Sequence, residues 1–247
     1  MSAPASCPPK MKTGKIRCKI ADLIVDVPEA LAWRCADYRF DGAGAADIEI
    51  LEERYREELY ADVGAPRDIV EYQESGRQFS YFLIKYDGIY LHASAVEYEG
   101  MAYLFSAPCG TGKSTHTKLW EQHFAGAQVF NDDKPALRRL EGKWYAYGTP
   151  WCGKDGINQN RKVPIAGICF LHQAPENRIR RLSNREAVAQ ILPQTMHRFK
   201  RRDRLEQMLT LLDQLVREIP VYDLECRPDK AAAELSLQTM RPTDEEK

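Results

Sequence analysis

Hydrophobic positions alternate first at Ile16, Cys18 and Ile20, set between basic residues, and an apolar triplet follows at 23–25. A period of two predicts a strand or hairpin. Residues 28–35 predict a short helical or turn element, 47–51 a further strand, and the charged run 52–60 a short helix. Two apolar runs, 69–72 and 78–86, flank Glu74-Ser-Gly76 and predict another hairpin. Residues 14–86 therefore read as a β-rich N-terminal lobe behind a Pro- and Lys-containing tail at 1–13.

The pattern changes at Asp87-Gly88. Two strands, 89–98 and 101–105, are predicted on either side of a Glu99-Gly100 turn. A glycine-containing stretch leads into a helix-compatible run at 115–124, and short strands are expected at 127–130, 143–147 and 163–171. The remainder is more helical. Ser183-x-x-Glu186 is a capping box opening a helix that Pro193 ends or kinks. Leu205, Met208, Leu209, Leu212, Leu215 and Val216 fall on one face of a helix over 204–218. A last strand at 221–224 and a last helix at 229–240 complete a core assigned to 87–240, with a tail at 241–247. The fold class expected is α/β, an α+β mixed sheet with a helical C-terminal part.

Composition narrows the chemistry. The chain has 247 residues, and 35 Lys plus Arg nearly balance 36 Asp plus Glu, leaving a net charge of −1. That balance argues against a nucleic-acid coat, and the basic stretch containing Arg178, Arg180, Arg181, Arg198, Lys200, Arg201, Arg202 and Arg204 reads as a solvated face. The seven Cys contain no C-x-x-C pair, which suits a reducing cytoplasm rather than a disulfide or zinc framework. No stretch approaches the length of apolar chain needed to span a membrane.

The strongest motif is Ala107-Pro-Cys-Gly-Thr-Gly-Lys-Ser114. It fits the G-x-x-x-x-G-K-[ST] phosphate loop except at its first position, where Ala107 replaces Gly. Gly110 and Gly112 permit a tight turn that aims consecutive N–H groups at phosphate oxygens. Lys113 can reach the β- and γ-phosphates of ATP, and the Ser114 hydroxyl can ligate Mg²⁺. The expected nucleotide contacts are Ala107, Pro108, Cys109, Gly110, Thr111, Gly112, Lys113, Ser114, Thr115 and His116. One helix and one strand later comes Asn131-Asp132-Asp133. Adjacent carboxylates on an extended chain point different ways. One can serve Mg²⁺ while the other acts as general base toward an incoming hydroxyl. His92 lies on the strand next to the one that delivers the loop.

Taken together, the Leu91-His-Ala-Ser-Ala-Val96 strand, the loop and the Val129-Phe-Asn-Asp-Asp133 segment resemble the catalytic domain of the HPr kinase/phosphorylase family. That domain shares its phosphate-loop architecture with ATP-dependent phosphoenolpyruvate carboxykinases. Gly148-Thr-Pro-Trp-Cys-Gly-Lys154 is similar to a segment of the HPr-kinase-like proteins. The likeness covers about 88–175 well and 1–86 hardly at all. It implies a P-loop kinase core and an ATP- and Mg²⁺-dependent transfer to a serine-type hydroxyl of a protein, peptide or small molecule. Asp132, Asp133, His92 and Lys113 would be catalytic. Ser114 and Asp133 would serve the metal, and Lys154 and Arg161 would meet substrate charge. A non-catalytic nucleotide-binding regulator and a carboxykinase-like enzyme acting on an oxo acid are the alternatives. The acceptor and the oligomeric state stay open.

Overall fold

The computed structural model describes residues 14–108, 110–195 and 201–242. The tail at 1–13, the end of the second tail from 243, Cys109, and Arg198 and Lys200 of the basic stretch lie outside the described residues. No helix among the described residues is long and apolar enough to cross a membrane.

The chain begins with β1 (Lys15–Ile20) and β2 (Leu23–Pro28), an antiparallel pair, and β3 (Ile48–Glu49) adds parallel to β2. After the single-turn helix α1 (Glu58–Ala61) comes α2 (Arg67–Leu83). This corrects the second hairpin expected in a β-rich lobe: Arg67–Leu83 is one helix of 17 residues. Tyr72, Phe79 and Leu83 recur at helical spacing and join the core beneath the small sheet. Gly76 is no turn residue. A Cβ there would stand 3.0 Å from the Trp151 indole, so the missing side chain admits a buried aromatic.

The main sheet runs β4 (Gly88–Tyr90), β5 (Ala93–Tyr98), β6 (Met101–Ser106), then after α3 (Lys113–His123) β7 (Gln128–Asn131), β8 (Ala136–Leu140), β9 (Lys143–Tyr147) and β10 (Lys162–Gln173). Then follow β11 (Arg178–Arg181), α4 (Asn184–Ile191), α5 (Arg202–Glu218), β12 (Val221–Cys226) and α6 (Lys230–Met240). The strand order is β4-β8-β9-β10-β6-β5-β7, with β12 beside β10 and β11 beside β12. Backbone bonds from Leu91 to Pro135 and from Ala93 to Asp133 bring the two ends of this path together, so the sheet curls. The fold class is mixed α/β, as expected. The capping box at Ser183 and Glu186 forms, and α4 ends before Pro193. The strands β8 and β11 were not anticipated.

Alternation along β6 separates two cores. Ala102 and Leu104 pack toward α4 and α5, with Ile191, Met208 and Leu212. Tyr103 and Phe105 face α3 and α6, against Trp120 and Ala233. Buried on both faces, β6 is a rigid rail. It runs parallel to β10, and β10 parallel to β12, so the carboxyl ends of all three lie on one edge. β5 is antiparallel to both β6 and β7, which puts the carboxyl end of β7 on that edge too.

Candidate functional site

The rail ends at Ser106, and loop 107–112 turns the chain into α3. Gly110 (φ 81°) and Gly112 (φ 111°) both occupy left-handed backbone that L side chains rarely adopt. Gly112 is the N-cap of α3, and no side chain caps it. Ala107 has no positive φ, and its methyl is buried in the core containing Phe105 and Trp120, so this position has no need of glycine. Lys113 Nζ donates to the Ala107 carbonyl at 2.8 Å and thus lies across the loop. Ser114 and Thr115 are exposed at the first turn. His116 is not. Its ring packs 4.6 Å from Phe105, and Nε2 meets Ser236 Oγ at 3.2 Å. Burial lowers its pKa to about 4. A nucleotide contact by this side chain is therefore corrected to a role in joining α3 to α6. Beside the loop lies a cleft of about 400 Å³ lined by Pro108, Gly110, Thr111, Leu171, His172 and Gln173.

The acidic pair follows β7 on the same edge. Asp133 lies beside His92, because the Ala93 N–H bonds the Asp133 carbonyl at 3.0 Å. His92 Nε2 is 3.2 Å from Asp133 Oδ1, and its Nδ1 meets Gln194 Oε1 at 3.0 Å. The Tyr72 hydroxyl donates to Asp133 Oδ2 at 2.7 Å, and Lys134 Nζ reaches that oxygen at 2.5 Å. Burial alone would raise the Asp133 pKa. The His92 hydrogen bond and the Lys134 charge outweigh it and hold the carboxyl well below the usual carboxylate range. Both its oxygens are engaged, so the metal position expected at Asp133 is already taken up by protein donors.

Asp132 is different. It is buried, accepts from the Gly153 N–H at 2.6 Å, and has no cation paired with it among the described residues. Burial raises its pKa. The two neighbours thus separate into a clamped, acidic carboxyl and a more basic one.

The segment that holds Asp132 is itself pinned. Trp151 stacks on Phe79 at 4.8 Å and donates from Nε1 to Ser75 Oγ at 2.9 Å. Thr149 Oγ1 donates to the Lys134 carbonyl at 2.7 Å. Lys154 is exposed next to Gly153. Arg161 is elsewhere. Its guanidinium bonds Glu97 at 2.6 Å, and Glu97 pairs with Ala102 at the start of β6. At about 3.3 Å per residue, that is roughly 13 Å from the loop end of the strand. Arg161 is therefore corrected from substrate contact to a strand-pairing ion bridge. The parts played by Tyr72, Lys134, Gln194 and Gly153 were not read from the sequence. Two of them had a signal: Lys134 is adjacent to the acids, and Gly153 lies inside the 148–154 segment, though neither was given a role.

The sequence profile of the SynChlorMet cassette protein ScmC matches residues 67–229. The chain belongs to that family. The ScmC region begins at α2 and so contains Tyr72, loop 107–112, both aspartates and Gln194, the whole of the clamp just described. No curated protein matches the chain. Among solved structures, the Hpr(Ser) kinase/phosphatase from Coxiella burnetii aligns at 13% identity over 62% of this chain and 88% of its own, with a TM-score of 0.35. That is a weak, fold-level similarity.

Proposed function

We propose that the chain is a kinase that moves the γ-phosphoryl group of ATP to a hydroxyl. The observation that carries this reading is the meeting, on one sheet edge, of a glycine-shaped loop opening a helix and two carboxyls whose surroundings drive their basicities apart.

Loop N–H groups and the α3 terminus suit a polyphosphate, and the Lys113 ammonium would exchange the Ala107 carbonyl for phosphate oxygens. The exposed Ser114 hydroxyl would help hold Mg²⁺, which would supply neutralisation of phosphate charge. Asp132, the more basic acid, is the base. It takes the proton of the acceptor hydroxyl as that oxygen bonds to the γ-phosphorus and the bond to the bridging oxygen of ADP breaks. Asp133 stays ionised and fixes His92, Tyr72 and Lys134 around the reaction zone.

The test is incubation with γ-labelled ATP and Mg²⁺ against fractionated peptides and metabolites, followed by mass spectrometry of labelled species. Label on a hydroxyl, lost in Asp132→Asn, is expected. Transfer by Asp132→Asn at the unmutated rate would refute the base assignment, and no labelled species from any fraction would refute the kinase.

A further inference from the structure

One cation beside the acid pair comes from outside the ScmC region. Arg34 follows a 3₁₀ turn at Glu29–Leu31, and its N–H bonds the Leu31 carbonyl at 3.0 Å. Asn158 Nδ2 holds the Arg34 carbonyl at 3.1 Å. The guanidinium carbon stands 4.2 Å from the Trp33 ring centre and 4.8 Å from that of Tyr72. One of its nitrogens lies 3.9 Å from Cys152 Sγ. Tyr72 bonds Asp133, and Cys152 precedes the Gly153 that bonds Asp132. Arg34 is thus linked to Asp133 through the Tyr72 side chain and to Asp132 through the Cys152-Gly153 step.

Its partners are aromatic faces and a thiol. Among the described residues, no carboxylate lies within 4.0 Å of its guanidinium. Most other arginines differ: Arg17, Arg56, Arg67, Arg139 and Arg161 all bond carboxylates. Aromatic stacking fixes a guanidinium while leaving its N–H edge available, and that edge matches a carboxylate or phosphate in bidentate fashion. Trp33 is 66% exposed, an unusual setting for the largest side chain. Buried Asp132 and half-buried Asp133 repel any anionic molecule entering here, and a half-buried cation one residue removed from them offsets that repulsion.

We propose that Arg34, walled by Trp33 and Tyr72, binds an anionic group carried by the hydroxyl acceptor. This specificity role rests on the kinase reading, whereas the anion site itself can be tested without it. The probe is inorganic phosphate, titrated at constant ionic strength into the full-length Lys113→Ala protein, where the phosphate loop is weakened. Trp33 fluorescence is the readout, and Trp33→Phe defines its share of the signal. A saturable Trp33 response is expected, at least tenfold weaker in Arg34→Gln and intermediate in Arg34→Lys, which keeps the charge but loses the planar fork. Acetate run in parallel separates a carboxylate from a phosphate preference. No saturable Trp33 response, or equal phosphate affinity in Arg34→Gln, would overturn the site. Phosphate binding that behaves as expected in a protein that transfers no label to any acceptor would sink the kinase and leave the anion site standing.

Discussion

The loop edge and the N-terminal segment contribute to the same site in opposite ways. The edge is made of strand ends whose chemistry is contiguous in sequence: Ser106 into the loop, Asn131 into the acid pair. The segment before the main sheet supplies single side chains from far away. Tyr72 reaches Asp133 across 61 positions of sequence, and Ser75 receives the Trp151 indole N–H across 76. The first region carries the two carboxyls together with the His92 and Lys134 groups that keep Asp133 ionised, and the second adds one hydrogen bond and the packing that hold them in place. A substitution in each should therefore fail differently.

The largest effect belongs to the edge. Asp132→Asn is expected to lower phosphoryl transfer about 10²–10⁴-fold, the usual worth of a general base, while nucleotide affinity stays within twofold. Steady-state transfer measured beside fluorescent-nucleotide titration checks this. Trp151→Ala attacks the contact between the two regions. It removes a fully buried indole stacked on Phe79 and should cost about 3–5 kcal/mol in urea unfolding. Transfer should fall with it, because the Gly153 N–H loses its anchor.

A smaller effect lies in the helix behind the loop. The folded-state pKa of His116, about 4, is below its unfolded value near 6.5. Between these values the unfolded chain binds more protons, so stability rises with pH across the window and is lost as pH falls through it. The slope integrates to roughly 3 kcal/mol. His116→Phe should flatten it, as read from urea midpoints between pH 4 and 7.

The smallest effect is at the clamp. Tyr72→Phe deletes one donor to Asp133 and should cost about 1–2 kcal/mol. The Asp133 carboxyl is depressed, so its contribution is complete above the unfolded pKa and disappears as pH falls toward the folded one. With a donor gone the folded pKa rises, and acid unfolding should begin at higher pH than in the unmutated protein. An unshifted acid midpoint would mean that Lys134 and His92 alone set the charge of Asp133.

What could be read from the chain follows the same division. Local rules are visible: the Glu99-Gly100 turn, the capping box at Ser183 and the glycines of the loop express their physics within a few residues, and the apolar face expected of α5 holds at Met208, Leu212, Leu215 and Val216, whereas Leu205 and Leu209 of that face stay exposed. The clamp does not, because Tyr72, Gln194 and Trp151 meet only through tertiary packing. Gly76 misled for a similar reason. Its cause is the Trp151 ring, 75 positions downstream, while its local signature is that of a turn. His116 and Arg161 carry the residue types of a phosphate site, yet burial against Phe105 and pairing with Glu97 assign them to structure. The opposite pKa directions of Asp132 and Asp133 required knowing which neighbours each one meets.

The central claim is that backbone near Lys113 holds a nucleotide next to Asp132. Calorimetric titration of Mg²⁺-ADP into the unmutated, Lys113→Ala and Asp132→Asn proteins tests it most directly. Saturable binding is expected, about tenfold or more weaker in Lys113→Ala and unchanged in Asp132→Asn, given the worth of a charge-assisted phosphate contact. No heat of binding in the unmutated protein, or equal affinity after removal of the lysine, would contradict the account.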